Sequence, residues 1–316
     1  MALMRTLILP LVLVLGSTAW SPAAIAEQGA NCNVVNLMPA LWRSIDRRDA
    51  AKAIREAVVT PNPDLYNPKF VDLPTGAKWE EEIASEKAYV RPNRKEIEAV
   101  EKYLTAYVQP FMSAFKEKFS DYQCDYTFYI APSFGRMDGS AAFIDNKHLI
   151  IFAPDVIPKY HKVSELKVLI DHETFHIYHH QATGVYGASE EPLPTIEEAL
   201  WGEGLATLVS ARLNPEASMD AVMLQPGIPE GAKPYLADIA KALLAHLEEK
   251  DKATFSAYFM AGNPPKGYPP RAGYYVGLLI AEKLSERYSL PELAHLKGPE
   301  LHDLLVSQLQ QMANER

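Results

Sequence analysis

The sequence has no internal repeat, no low-complexity linker and no run of basic residues. Its 31 lysines and arginines are outnumbered by 40 aspartates and glutamates, which gives a formal net charge of -9. An acidic chain without a basic segment is a poor partner for nucleic acid, so we expect none. Because 48% of the residues are hydrophobic, the chain can form one large domain or two lobes with real cores.

Long hydrophobic runs are also missing, except at the start of the chain. Arg5 precedes an apolar stretch over residues 6–15, and small residues follow in an A-x-A sequence that ends at Ala26. This order is typical of a secretory signal peptide. An uncleaved anchor is disfavoured because Pro10 interrupts a stretch that is too short to span a bilayer. We expect residues 1–26 to be removed and the mature protein to be periplasmic or secreted, with no membrane anchor.

Cysteine is scarce, since the chain contains only Cys32 and Cys124. In an oxidising compartment an isolated pair favours a disulfide, and the alternative is two unpaired buried thiols. A bond between Cys32 and Cys124 would tie the N-terminal segment to the end of the long helix predicted before Cys124.

The chain after the signal divides into three predicted sections. Residues 27–125 are predicted to be a helical N-terminal segment, and apolar residues at helical spacing mark a long helix over residues 94–119. Residues 126–215 contain strands and two helices, and residues 216–316 form a mostly helical lobe. The sequence therefore predicts an α+β fold.

The β signals are confined to the start of the second section. YTFYIAP, residues 126–132, is typical of a strand, and residues 140–154 are typical of a hairpin that turns near Asp145 and Asn146. We interpret these segments as a small antiparallel sheet that precedes the helices.

Four of the nine histidines stand close together in LIDHETFHIYHH, residues 169–180. The stretch lies in a predicted amphipathic helix that Ser164 caps and that ends before Gly184. A histidine cluster in such a helix is either a metal site or a group of solvated or core histidines.

The spacing within the cluster favours a metal. His172 and His176 are four residues apart, which places both imidazoles on one helical face about 6 Å apart along the axis. With Glu173 they form HExxH, in which two histidines bind Zn²⁺. The glutamate then acts as the general base toward the metal-bound water.

A catalytic zinc of this type needs a third protein ligand and one open position. Ala182 stands where a third histidine would follow His176 in one known arrangement, so that arrangement is excluded. His180 is a full turn beyond His176, too far along the axis to share an ion with His172. We interpret His179 and His180 as surface or supporting polar residues.

A glutamate from another helix is the remaining source of the third ligand. Five candidates follow the motif: Glu190, Glu191, Glu197, Glu198 and Glu203. Glu203 is favoured because it lies inside the apolar run ALWGEGLATLVS, where a carboxylate is costly to bury without a cation. The alternative for Glu203 is an ordinary glutamate on a helix surface.

HExxH followed by a helix reading LWGEGLA resembles the gluzincin metallopeptidases, including aminopeptidase-like members and several predicted bacterial zinc proteases. The resemblance implies a zincin-like fold, a Zn²⁺ cofactor and Glu203 as the third ligand. It covers about residues 126–285. The 26 residues between His176 and Glu203 exceed the aminopeptidase spacing, and the extra length falls in ATGVYGASEEPLP.

The same resemblance implies two further roles. Gluzincins use a tyrosine from the helical lobe to stabilise the oxyanion, and PRAGYYVGLLIAEKL assigns this role to Tyr274, with Tyr275 as the alternative. Either tyrosine could instead be a packed core residue. GRMDGSAAF, residues 135–143, could be an edge strand that binds extended substrate. Within it, Asp138 loosely matches a position that binds an N-terminal amine.

The sequence thus predicts an exported zinc metallopeptidase that acts on a peptide or protein substrate. Glu173 is the expected base, Tyr274 the oxyanion donor, and His172, His176 and Glu203 the metal ligands. Residues 262–271 are expected to border the cleft. Two alternatives stay open, a non-catalytic zinc-binding protein and a hydrolase of a non-peptide amide. The substrate, the mode of cleavage and the oligomeric state are not determined by the sequence.

Overall fold

The computed structural model describes residues 32–184, 193–260, 264–265 and 267–315. The predicted signal peptide lies outside the described residues, as do Glu190 and Glu191. Within the described residues, many helices accompany one small sheet, which confirms the predicted α+β class.

The four described strands are β1 (Asn33–Asn36), β2 (Thr127–Ile130), β3 (Gly139–Ile144) and β4 (Lys147–Phe152). The helices of the first two sections are α1 (Met38–Ile45), α2 (Ala50–Ile54), α3 (Ala77–Val90), α4 (Arg94–Lys118), α5 (Leu166–Thr183) and α6 (Ile196–Leu213). The helices of the last section are α7 (Met219–Val222), α8 (Ile228–Ala232), α9 (Leu236–Ala245), α10 (Lys252–Phe259), α11 (Ala272–Leu284), α12 (Leu290–His295) and α13 (Gly298–Asn314).

The strands form one mixed sheet in the order β1-β2-β4-β3. β2 is parallel to both β1 and β4, and only β3 is antiparallel, to β4. The prediction of an antiparallel sheet was therefore wrong. The hairpin could be predicted because Asp145 and Asn146 take left-handed φ angles of 50° and 63°, as a two-residue hairpin turn requires. Parallel pairs join distant segments and leave no such local signal.

The N-terminal segment is not wholly helical, since β1 lies within it. Asn33 pairs with Thr127, and the adjoining Cys32 and Cys124 form the predicted disulfide with their Cα atoms 5.1 Å apart. The strand was missed because NVVN is too short to show a period, and its partner lies far along the chain.

The helices around the site mostly follow the prediction. α4 runs from Arg94 to Lys118, and its apolar stripe is buried. α5 ends at Gly184, whose φ of 75° is the left-handed conformation that stops a helix. Its start differs, because a 3₁₀ turn over Val163–Glu165 precedes α5 and Ser164 does not cap it. α5 is also not amphipathic, because it is buried on nearly every side.

α6 crosses α11 at two glycines. A Cβ atom on Gly204 would lie 2.3 Å from the backbone carbon of Gly277, and one on Gly277 would lie 2.4 Å from the backbone oxygen of Leu200. Any side chain here would force the two backbones apart, because real Cβ atoms do not come so close. This contact places the N-terminal turn of α11 near the middle of α6.

None of the helices in the described ranges combines the length and the apolar character that a membrane span requires.

Candidate metal centre

Two helices bring three ligand atoms together. α5 carries His172 and His176, and α6 carries Glu203. The Nε2 atoms of His172 and His176 are 3.2 Å apart. Oε2 of Glu203 lies 3.2 Å from Nε2 of His172 and 3.3 Å from Nε2 of His176. The three predicted ligands therefore converge on one point.

The triangle has the size that a zinc ion requires. Tetrahedral coordination with bonds of about 2.0–2.1 Å places neighbouring ligand atoms about 3.3–3.4 Å apart. The distances of 3.2 to 3.3 Å among the Nε2 and Oε2 atoms match one face of such a tetrahedron. Two imidazoles and a carboxylate are also a donor set that zinc favours. The residues present therefore fit a divalent metal ion.

The charges of the ligands suit a cation. Burial lowers the pKa of His172 to about 4, so this imidazole is neutral near pH 7. Burial opposes ionisation of Glu203, but His176 and His172 overcome it and hold the pKa of that carboxyl well below its usual range. Burial lowers the pKa of His176, but the nearby Glu203 raises it by more, so this pKa lies above its ordinary value. A neutral histidine and an ionised carboxylate are the forms that bind metal.

The two imidazole rings are oriented by packing. Their Nδ1 atoms are buried and have no hydrogen-bond partner among the described residues. The ring of His172 lies nearly parallel to that of Tyr274, with 11° between the planes and 6.1 Å between the centres. It meets the ring of His176 edge to face at 4.8 Å. These aromatic contacts stand where the histidines of known zinc sites commonly have a carboxylate or carbonyl partner.

The predicted base Glu173 lies against the first residue of β3. A Cβ atom on Gly139 would be 3.3 Å from Cγ of Glu173, so glycine gives this side chain its room. Burial raises the pKa of Glu173 to about 7. A carboxyl group in this range can accept a proton and return it near neutral pH.

The triad and Glu173 line a cavity of about 440 Å³. The predicted oxyanion donor Tyr274 lines the same cavity, whereas Tyr275 is not among the described residues that do so. Burial raises the pKa of Tyr274, so its hydroxyl keeps its proton and can donate it in a hydrogen bond. Of the stretch 262–271, Arg271 lines this cavity, while residues 262, 263 and 266 lie outside the described ranges.

Three residues support the site through contacts that sequence reasoning missed, although Asp138 was weighed for binding an amine and Arg271 belongs to the stretch expected to border the cleft. Asp138 accepts a hydrogen bond from the backbone of Gly139, and its other oxygen lies 2.7 Å from Nε2 of His161. Arg271 places its guanidinium carbon 4.0 Å from the centre of the Tyr274 ring. The sequence signal for Arg271 was its place at the end of the stretch 262–271, directly before α11.

The third missed residue, Asp171, clamps α5 to the end of α6. Its carboxylate accepts hydrogen bonds from Nζ of Lys167 at 2.6 Å and from Nδ2 of Asn214 at 2.7 Å. Asp171 directly precedes His172, and Asn214 ends the helix that carries Glu203. The clamp therefore fixes one ligand helix relative to the other. An acidic residue inside the apolar run VLID was a signal that could have identified it.

The two further histidines of the motif helix do not join the triad. His179 is buried, so of the two predicted roles, surface or supporting, the structure excludes the surface one, and its ring stacks on that of Phe175 at 5.7 Å. His180 is half-buried, and its Nδ1 lies 2.9 Å from Nε2 of His148. Both act within the packing of α5 rather than as ligands.

The competing glutamates on α6 have other partners. Glu198 completes a capping box with Thr195 at the start of the helix, and Glu197 lies 2.6 Å from Nδ1 of His302. Neither belongs to the group of converging ligand atoms. Among the described candidates Glu203 alone faces the two histidines.

A larger cavity, of about 880 Å³, lies along α5, α6 and α13. Trp201 and Leu301 are among the residues that line it. It contains no cluster of three metal-binding groups within the described part of the chain. The chemistry therefore points to the smaller cavity.

Comparison of this chain with protein-family models, curated proteins and solved structures found no match. The gluzincin resemblance accordingly depends on the motifs and on the geometry of the site.

Proposed function

We propose that this protein is an exported zinc-dependent peptidase of gluzincin type with a zincin-like catalytic lobe. The observation that carries the proposal is the triangle of His172, His176 and Glu203, whose ligand atoms lie 3.2 to 3.3 Å apart beside Glu173. Its position in a cleft rather than in a closed core favours catalysis over a purely structural metal.

His172, His176 and Glu203 would hold the metal. A zinc ion held by these residues would supply Lewis acidity for the attack of water on a substrate carbonyl. The protein contributes a fixed ligand set, because α5 and α6 are clamped through Asp171 and Asn214.

Glu173 is proposed to move the proton of the reaction. Its carboxylate accepts a proton as the oxygen of water bonds to the carbonyl carbon of the substrate. The same carboxyl returns the proton to the leaving nitrogen as the carbon–nitrogen bond breaks. Water is consumed and no other reactant is needed.

Tyr274 is proposed to stabilise the negative charge that develops on the carbonyl oxygen. Its ring faces His172 across the cleft, so its hydroxyl is positioned near the metal ligands. Arg271 lies beside the ring and makes the phenol a better donor, because a neighbouring cation favours loss of a proton.

The cleft suits a peptide better than a small polar molecule. Apolar side chains line it together with the charged groups, among them Leu169, Leu224, Phe255 and Phe259. Such a surface can bury an apolar side chain of a substrate next to the reacting bond. Hydrolysis of a non-peptide amide would use the same groups. A non-catalytic metal-binding protein is disfavoured, because such a protein does not need a base at the position of Glu173.

Export is part of the proposal. The disulfide between Cys32 and Cys124 is compatible with an oxidising compartment. The signal-like residues that motivate it lie outside the described ranges.

Two matched variants test the proposal. Glu173→Gln keeps size and removes the base, so zinc content should stay near one per chain while hydrolysis of a peptide mixture falls by about 10²–10⁴-fold. Glu203→Gln removes a ligand, so zinc content should itself fall. Metal analysis together with a peptide-library digest, with and without chelator, measures both effects.

Glu198→Gln is the control, because glutamine preserves size and can still complete the capping box. It should change neither zinc content nor hydrolysis. Wild-type protein that binds zinc but cleaves no peptide in the library would refute the peptidase assignment. Equal zinc retention in Glu203→Gln and Glu198→Gln would refute the ligand set.

A further inference from the structure

We infer that the cleft selects substrates that carry a free carboxylate close to the bond that is cut, and that Arg271 binds this carboxylate. The inference rests on the proposed peptidase function and names its substrate class, peptides cut near their C-terminal end. It makes Arg271 the residue that determines this specificity.

Arg271 is a partly buried cation without an ion pair. Arg47, Arg91, Arg94 and Arg136 each have a carboxylate at salt-bridge distance, and Arg271 has none among the described residues. Glu203 and Asp138 attract it only from farther away. A guanidinium removed from water without an anionic partner is unfavourable. The cleft therefore presents a positive charge that an incoming anion would satisfy.

Most N–H donors of the Arg271 guanidinium are available to bind a ligand. It lies over the ring of Tyr274 at 4.0 Å and shares a hydrogen bond with the phenol. That bond uses one of five N–H donors. The donors that remain can form the paired hydrogen bonds by which arginine binds a carboxylate.

The backbone of Arg271 is held in a conformation that this residue type disfavours. Its φ and ψ angles are 58° and 26°, in the left-handed region, at the residue directly before α11. A side chain other than glycine persists there only when the surroundings demand it, and such residues cluster at binding sites. The conformation aims the side chain at the cleft, which Arg271 lines together with Glu173.

The position of Arg271 limits where the carboxylate lies along the substrate. The Tyr274 ring centre is 4.0 Å from the guanidinium carbon and 6.1 Å from the His172 ring centre. The guanidinium is thus within about 10 Å of the ligand ring, which is about three residues of extended chain. A carboxylate on Arg271 would belong to one of the last few residues of the substrate.

Glu173 and Glu203 have proposed roles in catalysis and metal binding, and the remaining acidic group that lines the cleft, Asp138, is already engaged, which argues against recognition of an amino terminus. Asp138 pairs with His161 at 2.7 Å, and it also accepts a hydrogen bond from the backbone of Gly139. Arg136, the other cation that lines the cleft, is paired with Glu82 at 3.1 Å. Arg271 is therefore the charged side chain best placed to bind a charged terminus of the substrate.

The first test compares an N-acetylated peptide that has a free C-terminal carboxylate with the same peptide as its amide. The zinc-loaded wild type should hydrolyse the acid about 10- to 100-fold faster in kcat/KM, mainly through KM. Equal rates for acid and amide would overturn the inference and leave the peptidase assignment standing.

Variants then assign the preference to Arg271. Arg271→Gln should bring the acid-to-amide ratio close to one, and Arg271→Lys should keep part of it because the charge remains without the planar pair of donors. Arg136→Gln is the matched control, and its ratio should equal that of the wild type. Loss of the ratio in Arg136→Gln but not in Arg271→Gln would assign the carboxylate to the wrong arginine and overturn the inference.

A binding measurement separates this inference from the proposed function. Titration calorimetry with N-acetylphenylalanine and its amide should show that the wild type binds the acid more tightly. This preference should be lost in Arg271→Gln and partly kept in Arg271→Lys. This result would support the carboxylate site even in a protein that cleaves no peptide. Equal binding of acid and amide by the wild type would refute the site, whether or not peptides are cleaved.

Discussion

At the scale of single residues, the site concentrates buried charge where water is scarce. Glu203 is only 2% exposed, and its carboxylate is stabilised by the two histidines that it faces. An uncompensated carboxylate in such a position would cost several kcal/mol. This cost explains why an acidic residue inside an apolar helix was a strong sequence signal for a cation partner.

Replacing Tyr274 by phenylalanine tests the oxyanion role. Because the hydroxyl is proposed to act mainly in the transition state, kcat should fall about a hundredfold while KM changes little. The stability cost should be about 1 kcal/mol, since one hydrogen-bonding group is lost. Steady-state kinetics and thermal unfolding of Tyr274→Phe measure the two effects.

Tyr275→Phe is the matched control, because the neighbouring residue is buried to a similar degree but does not line the cleft in the described structure. Its kcat should stay within a few-fold of wild type. Near wild-type turnover in both variants would show that the oxyanion donor is another group.

At the scale of secondary-structure elements, the crossing of α6 and α11 sets the geometry of the site. Gly204 follows the ligand Glu203 directly, and Gly277 is one turn beyond Tyr274. The backbone contact between Gly204 and Gly277 therefore fixes how far the proposed oxyanion donor stands from the metal ligand. A change in the spacing of α6 and α11 would therefore change the distance between Glu203 and Tyr274.

Gly204→Ala should separate the two helices. The added Cβ would lie 2.3 Å from the backbone carbon of Gly277, where no flexible side chain can move away. We expect the free energy of unfolding to fall by about 1–3 kcal/mol or more, as for other overpacked interiors. Zinc affinity should fall as well, because Glu203 shifts with the helix. Urea unfolding and competition with a chelator measure these effects.

Gly231→Ala is the matched control on α8. Its Cβ would meet only ring atoms of Pro269, the nearest at 3.1 Å, so a small shift relieves the contact. It should cost less stability and leave zinc affinity unchanged. A Gly204→Ala variant as stable as Gly231→Ala would contradict the described helix crossing.

At the scale of the whole molecule, folding buries a pair of acidic residues, Glu86 and Asp155, outside the proposed metal site. Glu86 is only 6% exposed, and one of its carboxyl oxygens has no hydrogen-bond partner among the described residues. Burial and then the nearby Asp155 raise the pKa of Glu86 to about 9. Burial also raises the pKa of Asp155 to about 6, although three backbone N–H groups of residues 133–135 bond to it. The folded protein thus holds a protonated Glu86 at neutral pH.

This raised pKa makes stability depend on pH. The unfolded chain loses the Glu86 proton near its ordinary pKa of 4.5, whereas the folded chain keeps it until about pH 9. The unfolded state therefore binds fewer protons in this window, and stability falls as pH rises. Glu86→Gln should be more stable than wild type by roughly 2–4 kcal/mol at pH 8 and nearly equal to it at pH 5. Urea unfolding at both values tests the prediction.

Glu80→Gln on the same helix is the control, because Glu80 is exposed. Its stability difference from wild type should not change between pH 5 and pH 8. A pH-independent effect of Glu86→Gln would show that the buried carboxyl is ionised in the folded protein.

The sequence by itself determined the features that depend on short-range order. The four-residue spacing of His172 and His176, the left-handed stop at Gly184 and the hairpin turn at Asp145 and Asn146 are local, so a few neighbouring residues specify each of them. A resemblance to gluzincins together with an apolar setting was enough to select Glu203, and the structure places its carboxylate beside both histidines.

Tertiary structure alone decided the features that join distant segments. β1 pairs with a strand over ninety residues away, Arg271 and Tyr274 come to the proposed metal ligands through the packing of α11 on α6, and Asp138 meets His161, which is 23 residues further along the chain. None of these contacts has a period or a turn in the sequence, because each depends on which surfaces pack together once the elements exist. The sequence therefore indicates the metal ligands, whereas the charge proposed to recognise the substrate becomes visible only in the folded chain.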